Sequence, residues 1–340
     1  MPAPVRRRHR ALVPALCAGL ALAGLVGAAG PATAAPVAES LLQSVIDFGT
    51  DAGSDPTCSA ATGDRTADAT VGAGGGARTA STTSSTTITD ANDASDITTL
   101  TGRSSVAARV TAAGGSLRDL EVRATLRGTL VRAQGAASSC RGSVGLTATA
   151  GTTFTVARPG WLSLTMSTSR GGATMLAVSG PDQELMDSSV DVRTTDRHRF
   201  LLPRAGTYVV ALQARQTISS TPASDPSGAT LTASLRGEFR PAGSAVAASA
   251  GPGARYLALA AERSCAADSL AATFTARART VRSATIYVDG RRVAKVRAPK
   301  RGRTVRITRL RDPQPVSVRA VIVPRKGRTV AVTRSYVACS

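Results

Sequence analysis

Apolar residues alternate with polar or small residues in short runs along much of the chain. In residues 120–126, four apolar side chains alternate with three polar ones. A period of two places the apolar side chains on one face of a β-strand. Similar runs recur between turns such as Pro159-Gly160, with no helical pattern between them. The sequence therefore predicts an all-β protein made of two, or three, tandem β-sandwich domains.

Shifts in composition divide the chain into segments. Residues 35–82 begin with apolar positions spaced i, i+1, i+4 and i+5 around Leu41 and then turn to Gly, Ala, Thr, Ser and Asp. This predicts a loop-rich segment with one short helix. Residues 83–240 form a β-sandwich region, which could be one sandwich or two. Residues 241–254 are mostly Gly, Pro, Ala and Ser, which predicts a linker.

Residues 255–340 have the pattern of a further sandwich. Ala284, Ile286 and Val288 alternate with polar residues, and Asp289-Gly290 follows them. Asp-Gly is typical of a tight hairpin turn, because Gly tolerates a positive φ. We therefore expect a hairpin at Asp289-Gly290 within a separate domain.

Part of the first region resembles the bacterial pre-peptidase C-terminal domain. The resemblance spans about residues 150–214 and ends in a Gly-Thr-Tyr motif at residues 206–208. It lies in the runs TFTV at 153–156, GWLSL at 160–164, LAVSGP at 176–181 and GTYVV at 206–210. This resemblance implies a small β-sandwich of the kind carried by secreted hydrolases.

The last segment, about residues 255–340, resembles the C-terminal immunoglobulin-like modules of secreted proteins from high-GC Gram-positive bacteria. The likeness lies in the YVDGRR hairpin at 287–292 and the Tyr-x-x-Cys ending at 336–339. It implies an immunoglobulin-like fold and an adhesive role.

The first 34 residues have the order of a secretory signal peptide. Arg6, Arg7, Arg8 and Arg10 precede an uncharged apolar run, and Ala32-Thr33-Ala34 supplies a small-x-small cleavage pattern. We expect cleavage after Ala34 and a secreted, extracellular or cell-wall-associated product with no membrane span. The alternative is that the run is retained as a membrane anchor.

Four cysteines remain after residue 34, and they allow three disulfide pairings. An even number of cysteines in an exported chain predicts disulfides. We favour pairing within each composition block, Cys58 with Cys140 and Cys265 with Cys339.

Charge is distributed unevenly. The chain carries 42 Lys and Arg against 22 Asp and Glu. Residues 35–254 hold 18 of each sign, whereas residues 255–340 hold 20 basic and four acidic residues. Such asymmetry predicts contact between the basic segment and a polyanion. The alternative is a solvated basic face with no ligand.

The basic residues concentrate around the predicted hairpin at Asp289-Gly290. We expect anionic cell-wall polymers as partners, because arginine can bind phosphate and carboxylate bidentately. Specific nucleic-acid recognition is not expected, since these residues are not interleaved with stacking aromatics. A protein partner is not identified by the sequence. The candidate polyanion-binding residues are Arg291, Arg292, Lys295, Arg297, Lys300, Arg301, Arg303 and Arg306.

Residues for catalysis are sparse. His198 is the one histidine after residue 34, and no Gly-x-Ser-x-Gly, His-Glu-x-x-His or P-loop motif is present. We therefore predict a non-enzyme with no metal and no cofactor. The alternatives are an accessory module for a secreted partner protein, or a carboxylate-type hydrolase. The acids for that hydrolase would be Asp182, Glu184, Asp187 and Asp191.

A second acidic run could ligate calcium, although turn formation explains its residues better. This run consists of Asp90, Asn92, Asp93 and Asp96.

Overall fold

The structure, a computed structural model, describes residues 38–50, 54–60, 63–169, 172–182, 185–190, 195–220, 227–308, 310 and 314–340. The all-β prediction is confirmed, because the described helical elements are three short 3₁₀ turns. These turns are Gly135–Ala137, Pro252–Arg255 and Ala276–Thr280. The predicted signal peptide lies outside the described residues.

Residues 38–241 form one β-sandwich, which we call the neutral sandwich. Its described strands are β1 (Ala38–Thr50), β2 (Cys58–Ala60), β3 (Arg65–Gly72), β4 (Arg78–Asp90), β5 (Ile97–Ala113), β6 (Ser116–Arg132), β7 (Gly142–Val156), β8 (Gly160–Thr168), β9 (Ala173–Ser179), β10 (Leu185–Val190), β11 (Asp196–Leu202), β12 (Gly206–Ser219) and β13 (Ser227–Pro241).

Two sheets make up the neutral sandwich. The six-stranded sheet has the order β10-β9-β12-β7-β1-β3, and the seven-stranded sheet has the order β11-β8-β13-β6-β5-β4-β2. Burial alternates strictly along β7, as expected for a strand with one face on the core. Side chains of both sheets belong to one continuous core. Residues 83–240 therefore belong to a single sandwich rather than to two.

A pair of glycines lets the two sheets approach closely. Gly102 on β5 lies opposite Gly128 on β6. A Cβ atom at Gly128 would lie 2.4 Å from the Cδ1 atom of Ile218, and one at Gly102 would lie 2.9 Å from Leu146 Cδ2. Both positions therefore need glycine because large side chains of the opposite sheet fill the space.

The expected helix near Leu41 is wrong, because residues 38–50 form strand β1. The same spacing also suits a strand, in which Leu42 and Ile46 face the core while Leu41 and Val45 face outward. β1 pairs along its whole length with β7, about 100 residues away. This non-local pairing overrides the local helical pattern.

The expected boundary at residue 83 falls inside β4. The sequence predicts a loop-rich segment over residues 35–82. They instead supply β1, β2, β3 and the start of β4 to the shared sandwich. Their small side chains suffice because the rest of the sandwich provides the bulk of the core.

Residues 252–340 form a smaller sandwich, which we call the cationic sandwich. Its three-stranded sheet has the order β14-β15-β18, and its four-stranded sheet has the order β17-β16-β19-β20. Their side chains share a second core. The strands are β14 (Leu257–Leu259), β15 (Ser269–Phe274), β16 (Val281–Val288), β17 (Arg291–Arg297), β18 (Thr304–Thr308), β19 (Val316–Pro324) and β20 (Val330–Tyr336).

The hairpin predicted at Asp289-Gly290 joins β16 to β17. Both residues have a positive φ, 46° at Asp289 and 79° at Gly290. This is the conformation that a two-residue type I′ turn requires.

The segment predicted as a linker, residues 241–254, is tied down by backbone hydrogen bonds. Ala245 pairs with Tyr336, and Ala250 pairs with Thr333, so the segment runs beside β20. Its small side chains carry little packing information, but its N–H and C=O groups complete the edge of the four-stranded sheet. We call residues 242–251 the strap.

Both favoured disulfide pairings are confirmed. Cys58 is bonded to Cys140 in the neutral sandwich, and Cys265 is bonded to Cys339 in the cationic sandwich. Closing loops of this length stabilises a fold by about 4 kcal/mol in the chain-entropy model.

Within the described part of the chain, no helix has the length and apolar character needed to cross a bilayer.

Candidate polyanion-binding surface

The basic residues lie along two neighbouring sheet edges. β17 is an outer strand of the four-stranded sheet, and β18 is an outer strand of the three-stranded sheet. Only residues 298–303 connect them, so both edges lie on the same side of the cationic sandwich. The hydrogen bonds Gly302 N–H to Phe274 O and Phe274 N–H to Arg303 O, each 2.9 Å, hold the connection against β15.

All eight candidate residues are exposed on this side of the cationic sandwich. Arg306 is exposed next to buried Ile307, as the alternation predicts. The eight residues come from three places in the fold: Arg291, Arg292, Lys295 and Arg297 from β17, Lys300, Arg301 and Arg303 from the connection, and Arg306 from β18. We call this set the basic edge.

Among the described residues, the basic edge makes no ion pair with a carboxylate. In the described structure, the side-chain hydrogen bond of this set joins Arg306 Nε–H to Ser269 Oγ at 3.1 Å. Of the acids in this sandwich, Glu262 pairs with Arg158, and Asp289 accepts the backbone N–H of Ser317. No described carboxylate is paired with the exposed cations of the basic edge, which favours attraction of anions.

A β-bulge interrupts strand β17 within the basic edge. The pairing of β16 with β17 shifts register between Ile286 and Tyr287, which leaves Val293 unpaired and 46% exposed. A bulge twists and bends an edge strand. Edge cations and bulges also prevent strands of neighbouring molecules from pairing.

Arginines of the neutral sandwich are arranged differently. On the outer face of the seven-stranded sheet, Glu121 accepts a 2.6 Å hydrogen bond from Arg123 and lies 3.6 Å from Arg236. The Arg123 hydrogen bond lowers the pKa of Glu121, against the opposing effect of burial. These charges neutralise one another across strands β6 and β13.

The same face carries a shallow depression of about 470 Å³. Strand register places Arg109, Glu121 and Arg236 in one row, with Asp119 and Glu238 in the next. Sequence reasoning missed this constellation, since its members come from three strands whose register the sequence does not reveal. Alternation does mark each of them as an outward-facing residue.

The acidic run at residues 90–96 forms a hydrogen-bonded turn. Asp96 is buried and accepts hydrogen bonds from Ser138 Oγ–H and from the N–H of Ser139, the latter at 2.6 Å. Burial raises the pKa of Asp96, but the serine hydrogen bonds outweigh it and leave the pKa lowered. Among the described residues, no three His, Cys, Asp or Glu side chains are grouped to hold a metal ion.

The candidate catalytic acids are only partly described. Asp182 forms an ion pair with Arg204. Glu184, Asp191 and the side chain of Asp187 lie outside the described residues. His198 lies on the edge strand β11, where its Nε2 atom is 3.2 Å from Asp196 Oδ2 and its ring stacks on Phe200.

Trp161 lies where the two sandwiches meet. Its indole Nε1–H donates a 3.0 Å hydrogen bond to the carbonyl oxygen of Ala338, and the Arg199 guanidinium lies 4.4 Å from its ring centroid. Arg158 and Glu262 add an ion pair across the same junction, which lowers the pKa of Glu262. Trp161 is partly exposed, and its side chain contacts the cationic sandwich from the neutral one.

The chain matches no family model and no curated protein. Among solved structures it is similar to a GH2 beta-galacturonidase from Eisenbergiella tayi bound to galacturonate. That match has 13% sequence identity and a TM-score of 0.17, and it covers 55% of this chain and 35% of that one. A TM-score this low supports no conclusion about fold or activity. The chain spans about a third of the length of this structure.

Proposed function

We propose that this chain is a secreted, non-catalytic protein of the cell envelope whose basic edge binds anionic surface polymers. The neutral sandwich is then the exposed body, and the cationic sandwich holds it to acidic wall glycans or teichoic-type polymers. The observation that carries the proposal is the basic edge itself: eight exposed cations, on two outer strands and the connection between them, with no carboxylate partner among the described residues.

Export is part of this proposal. Two disulfides are the pattern expected of a chain that folds in an oxidising compartment. The signal-peptide pattern of residues 1–34 supports the same conclusion. The resemblances to the pre-peptidase and immunoglobulin-like domains of secreted proteins are consistent with it.

The geometry of the edge suits an extended polymer better than a small ligand. Alternate residues on a strand are about 6.6–6.8 Å apart, so Lys295 and Arg297 repeat at roughly the spacing of charged units along a polymer. The connection and β18 continue the positive surface onto the second sheet. An interaction of this kind is long-range and weakens as salt rises.

Co-sedimentation of the full mature chain with purified Gram-positive cell walls, across a salt series, tests this proposal. The test variant replaces Arg291, Arg292, Lys295 and Arg297 with Gln. A basic residue near an anionic surface contributes about 1 kcal/mol, so we expect the apparent affinity to fall about 100-fold or more and the salt dependence to flatten.

A matched control removes the same charge from the neutral sandwich. Arg65, Arg78, Arg103 and Arg127 are exposed on β3, β4, β5 and β6, and they are changed to Gln together. This control should lose much less affinity. Equal losses in both variants would mean that net charge, rather than the basic edge, governs binding. Failure of the wild-type chain to sediment at low salt would refute the proposal.

A further inference from the structure

One aromatic side chain lies among the cations of the cationic sandwich. Tyr287 is on β16, and its neighbours Ile286 and Val288 are buried, so Tyr287 faces outward from the four-stranded sheet. It is half-buried at its base, with part of its ring accessible. Within the described part of the chain, the Tyr287 hydroxyl makes no hydrogen bond, and the side chain does not belong to the core.

Strand register places an arginine on the neighbouring strand on each side of Tyr287. Tyr287 lies opposite Arg292 on β17 and opposite Arg319 on β19. Residues directly opposite on neighbouring strands have Cβ atoms about 4.5–5.5 Å apart, so both arginines can reach over or beside the ring. Both are exposed. The resulting row is Arg292–Tyr287–Arg319, and it continues to Thr333 on β20.

The next row extends the polar surface. Lys295 lies opposite Thr285, one step along the same strands. Within these two rows, the outer face therefore presents the tyrosine ring, the guanidinium groups of two arginines, the ammonium group of Lys295 and the hydroxyls of two threonines. The sequence does not reveal this grouping, because Arg319 is 32 residues from Tyr287 along the chain.

The chemistry of the row matches a sugar that carries an acid. An aromatic ring offers an apolar face on which the C–H face of a sugar can lie, and its hydroxyl stays in solvent. A guanidinium binds a carboxylate or a phosphate through two parallel hydrogen bonds. We infer that the outer face of the four-stranded sheet binds an acidic glycan, with a sugar ring on Tyr287 and its acidic groups on Arg292 and Arg319.

A single aromatic favours a glycan over a single-stranded nucleic acid. Proteins that bind single strands stack successive bases on several aromatic side chains. Among the described residues, the outward positions of the four-stranded sheet offer only Tyr287. This inference rests on the proposed polyanion-binding function and narrows it to the class of polymer and to the residue that recognises the sugar.

The test measures binding of the full mature chain to three anionic polymers of similar charge at fixed salt. Alginate supplies carboxylated sugars, inorganic polyphosphate supplies charge without sugars, and oligo(dT) supplies bases. The variants are Tyr287→Ala, Tyr287→Phe and, as a control on the outer face of the neutral sandwich, Thr125→Ala. Tyr287→Phe keeps the ring and should bind alginate nearly as the wild type does.

For Tyr287→Ala we expect alginate binding to weaken roughly fivefold to tenfold, the usual effect of removing an aromatic anchor. Polyphosphate binding should change by less than twofold, because the cations remain. Equal binding of alginate by wild type and Tyr287→Ala would overturn the inference while leaving the proposed function standing. A larger loss for oligo(dT) than for alginate would identify a nucleic acid as the ligand instead.

Two further readouts separate recognition from folding. Thermal unfolding of each variant shows whether Tyr287→Ala remains folded, and polyphosphate binding provides an internal check in the same sample. The tyrosine ring NMR signal that is absent from the Tyr287→Phe spectrum belongs to Tyr287. In the wild-type chain, this signal should shift when an alginate oligosaccharide is added. A wild-type chain that binds neither alginate nor polyphosphate would refute the proposed function itself.

Discussion

Both sandwiches are built from antiparallel strand pairs, yet their charged side chains are arranged in opposite ways. In the neutral sandwich, arginines such as Arg123 and Arg158 have carboxylate partners. In the cationic sandwich, the basic edge has none among the described residues. The sandwiches also differ in size, since the described core of the neutral sandwich contains 39 buried residues and that of the cationic sandwich contains 20.

This difference shows that much of the excess charge lies along the sheet edges, where it does not disturb the core. Lysines and arginines on edge strands also keep those strands from pairing with other molecules. In the neutral sandwich the outermost strand β2 pairs only with residues 88–90 of β4, and residues 79–87 of β4, beyond that pairing, are uncharged Ala, Ser and Thr. The need to prevent pairing between molecules therefore does not by itself explain so many cations. This is why we propose a ligand for them.

The largest expected effect concerns the disulfides. Replacing Cys265 and Cys339 with Ser should cost up to about 4 kcal/mol in the free energy of unfolding, a large share of the stability of a small sandwich. The cationic sandwich should then melt well below the neutral sandwich, as seen by scanning calorimetry. The same double change at Cys58 and Cys140 is the matched control. If the change at Cys58 and Cys140 lowers the melting temperature of the neutral sandwich by as much, the smaller core does not make the cationic sandwich more dependent on its disulfide.

A high-pH measurement sharpens the comparison further. Tyr336 is buried, donates a 2.8 Å hydrogen bond to the carbonyl oxygen of Ala260, and has its pKa raised by burial to about 12. Because the pKa in the unfolded chain is near 10, stability is retained below about pH 10 and lost as pH rises towards 12. The total is about 2–3 kcal/mol.

Tyrosinate absorbance and unfolding midpoints between pH 9 and 12 measure this loss. Tyr336→Phe should remove most of the pH dependence of the cationic sandwich. A pH dependence that persists in Tyr336→Phe would show that another group controls alkaline unfolding.

Packing of the larger core gives the next effect. Gly128→Ala places a Cβ atom 2.4 Å from Ile218 Cδ1, so side chains must shift, and we expect a loss of about 1–3 kcal/mol in the neutral sandwich. Gly145→Ala on β7 is the control, since its nearest neighbour would be 3.8 Å away. Urea denaturation measures both. Equal effects at the two glycines would contradict the close approach of the sheets.

The smallest expected effect is at the junction. Arg158 and Glu262 are about half exposed, and an exposed ion pair contributes about 0.2–1 kcal/mol. A double-mutant cycle with Arg158→Gln and Glu262→Gln should give a coupling energy in this range that shrinks in 1 M salt. No measurable coupling would mean that Trp161 and the strap alone join the sandwiches.

Much of the fold was predictable because strands and tight turns leave local patterns in the sequence. The alternation in residues 120–126 identifies β6, and Asp289-Gly290 identifies a hairpin. β1 was not predictable, because its two-sided apolar pattern is decided by pairing with β7 far along the chain. The disulfide pairing followed from composition, since each pair stays inside one sandwich.

The candidate site also has a part that the sequence predicts and a part that it does not. The basic edge is visible in the sequence because its residues are neighbours along the chain. The Tyr287 row and the Arg109–Glu121–Arg236 row are not visible, because they depend on which residues of different strands lie opposite each other. Register in a sheet is set by the whole core rather than by the strand itself.

The way β13 leaves the neutral sandwich has a mechanical consequence. β13 is an interior strand, hydrogen-bonded to β6 on one side and to β8 on the other, and it leads directly into the strap. A tension applied to the cationic sandwich therefore enters the larger one along the axis of a strand held on both sides. The ladder hydrogen bonds lie across that axis, so many must break at once rather than one after another. Single-molecule pulling on the cationic sandwich would measure this resistance as a high rupture force.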